Sequence, residues 1–305
     1  MRWTLLAAAA TLIAAAALAT TRPAEPPRVR TVRTAREARG GVSLPSPSNW
    51  GSSAPAAVSV VSSDPLESLR GALAARDADA LGRAGDDLAA WVGGDEGRAL
   101  GLVDGLRAET DAVATDLLAM TLASDPAAAT WSVVAREMLA IARADPLAER
   151  RRAALLYLSR SGARSAEIEA DATWIARSDA DLLARAAAFE LLGSIASSDP
   201  FAASRLHPVM VAEAAHAADP SVRIAALQAV DPGLASEEVL RAMGGVACTD
   251  ADPCVRLEAV ARLREASTAK RPLVVELLRE AANRATDDEV RGACSEAVAD
   301  QTEGR

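Results

Sequence analysis

The stretch Asp250-Ala-Asp-Pro-Cys-Val-Arg-Leu-Glu-Ala-Val-Ala-Arg-Leu263 recurs along the chain, and the recurrence limits what the chain can fold into. A close copy is Asp219-Pro-Ser-Val-Arg-Ile-Ala-Ala-Leu227. Looser copies start at Asp287, Asp181 and Asp145. The aligned arginines are Arg151, Arg185, Arg223, Arg256 and Arg291, separated by 34, 38, 33 and 35 residues when their numbers are subtracted. Periods of this size belong to helical solenoids, in which each helix pair buries its apolar face only against its neighbours. Asp before Pro opens a helix well. The carboxylate accepts from free first-turn amides, and Pro at the first helical position loses no hydrogen bond.

On a helical wheel from Val255, the residues Val255, Ala259, Val260, Leu263 and Ala266 share one apolar arc. Arg256 falls inside that arc, whereas Glu258, Arg262, Arg264 and Glu265 fall outside it. A guanidinium in an apolar setting needs a partner, and Asp250, Asp252 or an acid one repeat away could supply it. The pattern D-P-x-V-R-x-x-A-x-x-A-L resembles the second helix of short bacterial HEAT-like repeats, over roughly residues 64–300. The resemblance implies a hydrogen-bonded ladder between repeats, carried here by Asp219, Arg223, Asp252 and Arg256 and continued by Arg185 and Arg291. The ladder is expected to end before Asp111, where Thr115 replaces the arginine. It also implies protein binding along the second helices, where Glu149, Arg152, Glu190, Glu258, Arg262 and Glu296 are the candidate contacts.

The expected fold is all-α: an α-solenoid of about seven stacked antiparallel helix pairs, a HEAT/armadillo-like superhelix. The pairs are expected at 65–75 with 78–92, 95–108 with 111–123, 127–143 with 146–160 and 166–177 with 181–196. Three more follow at 200–217 with 220–230, 236–247 with 253–266, and 271–285 with 288–300. Pro208 should kink or divide its helix, and Gly82, Gly85 and Gly101 should weaken the first two pairs. The hydrophobic fraction is 50% but aromatics are only 3%, so Ala, Leu and Val must build the core. Trp131, Tyr157, Trp174, Phe189 and Leu191 are expected to help fill it.

Residues 3–21 are uncharged, follow Arg2 and contain Ala17-Leu-Ala19, the pattern of a secretory signal peptide. An N-terminal membrane anchor is the alternative for 1–21. Residues 22–63 are rich in Pro, Ser and Arg and read as a disordered tether. The repeat domain occupies 64–305. The expected location is exported, periplasmic or extracellular, or anchored in an inner membrane through 3–21. A single lysine, Lys270, beside abundant Arg and Ala suggests a bacterial source.

The formal charge of −9 is uneven. Residues 1–62 hold seven arginines against two glutamates, which leaves −14 on the remainder. An acidic body excludes nucleic acid as the natural ligand and points to a protein partner of basic or mixed charge.

No catalytic residue, cofactor or metal site emerges. Cys248 and Cys254 flank one short turn and could form a disulfide after export; the alternative is two small buried hydrophobes. Cys294 aligns with Ala226 and Ala259 on the buried face. His207 and His216 are nine residues apart, which places them on opposite sides of a regular helix. Glu167, Glu169 and Asp171 read as a solvated face, and Asp250 and Asp252 as helix caps rather than calcium ligands. The expected function is a non-enzymatic protein-binding scaffold or adaptor of the bacterial cell envelope. The alternatives are a HEAT-like lyase or enzyme accessory subunit, and a structural envelope spacer.

Overall fold

The computed structural model describes residues 65–303 apart from Ser267. All of them belong to the second of two units, 1–58 and 59–305. The signal-peptide, anchor and tether readings lie outside the described residues.

Fourteen α-helices form seven antiparallel pairs among the described residues. They are α1 (Pro65–Ala75) with α2 (Ala78–Val92), α3 (Glu96–Ala108) with α4 (Ala112–Ser124), and α5 (Ser132–Ala144) with α6 (Ala148–Ser161). Next come α7 (Ala166–Ser178) with α8 (Leu182–Ser198) and α9 (Pro200–His216) with α10 (Pro220–Gln228). The last are α11 (Glu237–Thr249) with α12 (Pro253–Arg264) and α13 (Arg271–Arg284) with α14 (Asp288–Glu303). This is an α-solenoid, as the period requires.

The pairs stack in two layers. The second helices pack in an unbroken series from α2 to α14. The first helices pack from α3 to α7 and again from α9 to α13, but α7 and α9 share no comparable seam. Between the layers lies one continuous core of Leu, Val, Ala and Ile, in which Tyr157, Phe189 and Leu191 are fully buried. Small alanines let helix axes approach closely, which is how a chain poor in aromatics still excludes water.

Asp side chains start the helices. Asp77, Asp95, Asp111, Asp181, Asp199, Asp219 and Asp252 each accept a first-turn amide, and Pro follows directly at α9, α10 and α12. The exceptions are informative. Asp125 accepts Ala127 N and also Gly94 N from a preceding turn, so only a 3-10 turn, Ala128–Thr130, follows it. Trp131 then leaves helical geometry, buries its ring, and α5 starts at Ser132 rather than 127.

Three expectations need correction. α9 is not divided at Pro208, which sits on its exposed side, so the carbonyl freed by the missing N–H can face water. Trp174 does not fill the core: it is 57% exposed on α7. Cys248 and Cys254 are free thiols; Cys254 is exposed and Cys248 half-buried.

Candidate interaction surface

The aligned arginines project from the first turn of the second helices. Four of them, Arg151, Arg223, Arg256 and Arg291, donate to the carbonyl six residues back, at Asp145, Ala217, Asp250 and Ala285. Arg185 instead reaches the Ala176 carbonyl at 2.8 Å. These bonds tie each second helix to the end of its own first helix.

Two arginines also reach forward. Arg151 grips Asp179 through Nε at 2.8 Å and Nη2 at 2.7 Å. Arg223 grips Asp250 through the same two nitrogens, both at 2.8 Å. Side-chain exposure is 14% and 6% for the first pair and 11% and 6% for the second. Paired, two-pronged contacts of this kind are the strong ones. Burial works against the Asp179 charge, but its bonds from Arg151 and from the Asp181 amide outweigh that and hold the carboxyl below its ordinary range.

The acids of the ladder are therefore not Asp219 and Asp252. Those two are spent on capping, through Ser221 N and Cys254 N, each at 2.8 Å. The pairing acid stands two residues before the cap, where the preceding helix ends. That position is Asp179 and Asp250 in two repeats but Ala217 and Ala285 in two others. Arg185 consequently turns to Glu213 at 3.8 Å. Arg256 has no carboxylate partner, and its Nε is buried without an acceptor among the described residues. Arg291 pairs with Asp288 on its own helix. At the Thr115 position no arginine exists, and Asp145 is taken by Arg150 at 3.5 Å.

A cleft of about 740 Å³ opens across α6, α8, α10 and α12. It exists because α10 is nine residues long, whereas α6 and α8 have 14 and 17. The chain leaves helix at Ala229, runs through Asp231-Pro-Gly233 and regains helix at Glu237. Ala186, Ala187, Gly193, Ser194 and Ala225 line the cleft without long side chains, and Leu156 and Leu183 give it an apolar side. Leu183, which lines the cleft, is 59% exposed.

The 229–236 loop is held from four directions. Gly193 of α8 sits so close that an added Cβ would lie 2.8 Å from the Ala229 carbonyl oxygen. Arg262 of α12 donates to the Val230 carbonyl at 2.6 Å. Lys270 donates to the Ala235 carbonyl. His207 of α9, almost fully buried, accepts the Asp231 amide at Nε2, 3.4 Å away. A backbone N–H can only donate, so that ring is neutral. Desolvation keeps the His207 pKa below its ordinary value; Asp231 pulls the other way and Lys270 reinforces the depression.

Residues 207–299 match the family model of HEAT repeats. This segment is similar to HEAT repeats. It covers α10 to α13 and most of α9 and α14, and the earlier pairs continue the same stacking. A comparison with curated proteins gives no match. HEAT repeats are helical scaffolds suited to protein interaction.

Along the second helices, the six candidate contacts divide. Glu149, Glu190 and Glu296 are exposed. Arg152, Glu258 and Arg262 are half-buried and engaged. Arg152 bonds Asp116 at 2.5 Å, Glu258 accepts from Gln228 at 3.3 Å, and Arg262 bonds Val230 and Glu265. Burial raises the Asp116 pKa despite Arg152. Glu190 and Arg160 pair at 2.9 Å on the cleft. Of the acidic run, Glu167 and Asp171 meet Arg143, and Glu169 meets Arg205. Among the described residues no group of three His, Cys, Asp or Glu could hold a metal ion. No helix among them is long and apolar enough to cross a membrane.

Proposed function

We propose that the chain is a non-enzymatic, protein-binding scaffold of the bacterial cell envelope, exported or anchored through residues 3–21. Its partner is a protein of basic or mixed charge. The observation that carries this reading is the cleft on the second-helix layer, with its small-residue lining, exposed Leu183 and exposed acids Glu149 and Glu190 nearby. An apolar anchor with a polar surround is how protein interfaces obtain most of their binding energy. The body charge of −14 favours a partner of opposite or mixed sign and speeds encounter.

Co-purification from the host tests the reading. Wild-type chain should retain a partner that Leu183→Asp and Glu190→Lys lose, while both variants keep the wild-type melting temperature. A partner that binds both variants as tightly as wild type would move the interface elsewhere. Turnover of added substrate by the isolated protein, abolished by one polar substitution, would replace the scaffold reading with an enzymatic one.

A further inference from the structure

We propose that His207 is a proton-operated latch on the 229–236 loop, and that acid reshapes the cleft through it. The proposal rests on the reading of the cleft as the partner site and adds its regulation. Three lining residues of the cleft, Ala229, Val230 and Asp231, belong to this loop. The loop is held by one of the chain's two histidines, by its single lysine and by an arginine from the next helix pair.

Only one of these holds can change near neutral pH. Of the three residue types that hold it, histidine is the one whose charge ordinarily changes in the physiological range. Protonation adds a proton from solvent to Nε2 and leaves the Nδ1 proton in place. The ring then has two donors and no acceptor, so the Asp231 N–H loses its partner and faces another N–H. The new cation is almost fully buried and lies near Lys270. Of the charged groups bearing on the ring, Asp231 comes from the loop and Lys270 from the turn before α13; among the described residues α8, α10 and α11 add none. Release of the loop relieves both conflicts, because it lets water reach the imidazolium and the amide.

The sign follows from the depressed pKa. The folded, latched form binds the proton less well than the released form, so the latch is complete above the ordinary histidine range and weakens as pH falls.

The test uses the full chain and needs no partner. Backbone hydrogen exchange of residues 229–236, corrected for intrinsic rates, is compared at pH 7.5 and near pH 5. The histidine ring signals are titrated by NMR, with His216→Gln assigning the two rings. The expected result is protection lowered on the order of tenfold in acid, confined to this loop and tracking the His207 titration. His207→Gln, whose amide oxygen can accept from Asp231 but cannot titrate, should keep the loop protected at both values. Unchanged wild-type protection would overturn the proposal, as would equal loss in His207→Gln or a His207 ring that does not titrate before global unfolding. Because no partner enters the measurement, such a failure leaves the cleft's role as a binding site standing. If the variant does not fold, the wild-type ring titration and loop protection still decide.

Discussion

Arg223 and Arg256 occupy the same place in successive repeats and differ in what they hold. Removing Arg223 strips Asp250, whose side chain is only 6% exposed, of both bonds from the guanidinium. Arg223→Ala should cost about 2–4 kcal/mol. Arg256→Ala removes bonding to a carbonyl and an Nε that has no acceptor among the described residues, and should cost about 1 kcal/mol. Urea denaturation distinguishes them, and equal midpoints would contradict the alternation of acids. The Arg151–Asp179 pair adds a pH dependence. The folded carboxyl titrates below its unfolded value, so its stabilisation is present above the ordinary carboxyl range and disappears as pH falls through the folded pKa. Arg151→Met should therefore flatten the acid limb of stability below about pH 4. The arginine column was readable in the sequence because period and apolar arc agree. The acids were not, because the eye goes to Asp before Pro, and that carboxylate is consumed by helix amides. The signal lay two residues earlier, in the first Asp of Asp179-Ala-Asp181 and Asp250-Ala-Asp252.

At the scale of helices, many starts were legible because a capping Asp marks them, with Pro behind it at α9, α10 and α12. The shift of α5 to Ser132 was not, since it depends on Asp125 serving an amide 31 residues away. Nor was Trp174 legible as exposed. Its helix face looks apolar in sequence, but the α5–α7 and α7–α9 surfaces meet through Arg–Glu and Arg–Asp pairs. Close helix packing gives a sharp contrast between glycines. Gly193→Ala drives a Cβ against rigid backbone at Ala229 and should destabilise by about 1–3 kcal/mol. Gly245 lies within α11 with open space around it, so Gly245→Ala should stabilise by about 0.5–1 kcal/mol. Thermal melts of the two single variants check both signs. A stabilising Gly193→Ala would mean that the loop does not lie against α8.

Across the whole molecule, charge and repetition were visible before any fold was known, and the cleft was not. It arises from the absence of turns that α10 would need to match its neighbours, and sequence patterns record turns that are present. If the second-helix layer binds the partner, association should slow as salt rises, because the acidic body steers encounter over about 8–10 Å at physiological ionic strength. Leu227→Ala, buried completely, should instead lower stability by about 2–5 kcal/mol, and partner affinity should fall only with the folded fraction. Stopped-flow association across a salt series, beside the variant's melting curve, separates the two effects.

The alternation of complete ladder contacts has a mechanical consequence. Pairs three and four are clamped through Arg151, and pairs five and six through Arg223. Between these doublets the charged links are Arg185 at 3.8 Å from Glu213, with Arg177–Glu213 and Arg205–Glu169 where α7 and α9 lack a seam, beside the continuous packing of the second helices. At the joint between pairs four and five the second-helix layer is continuous but the first-helix layer is not, so bending there can open the first-helix side without parting an apolar seam. The ion pairs that bridge α7 and α9 there should loosen as salt rises, so the opening should become easier in high salt.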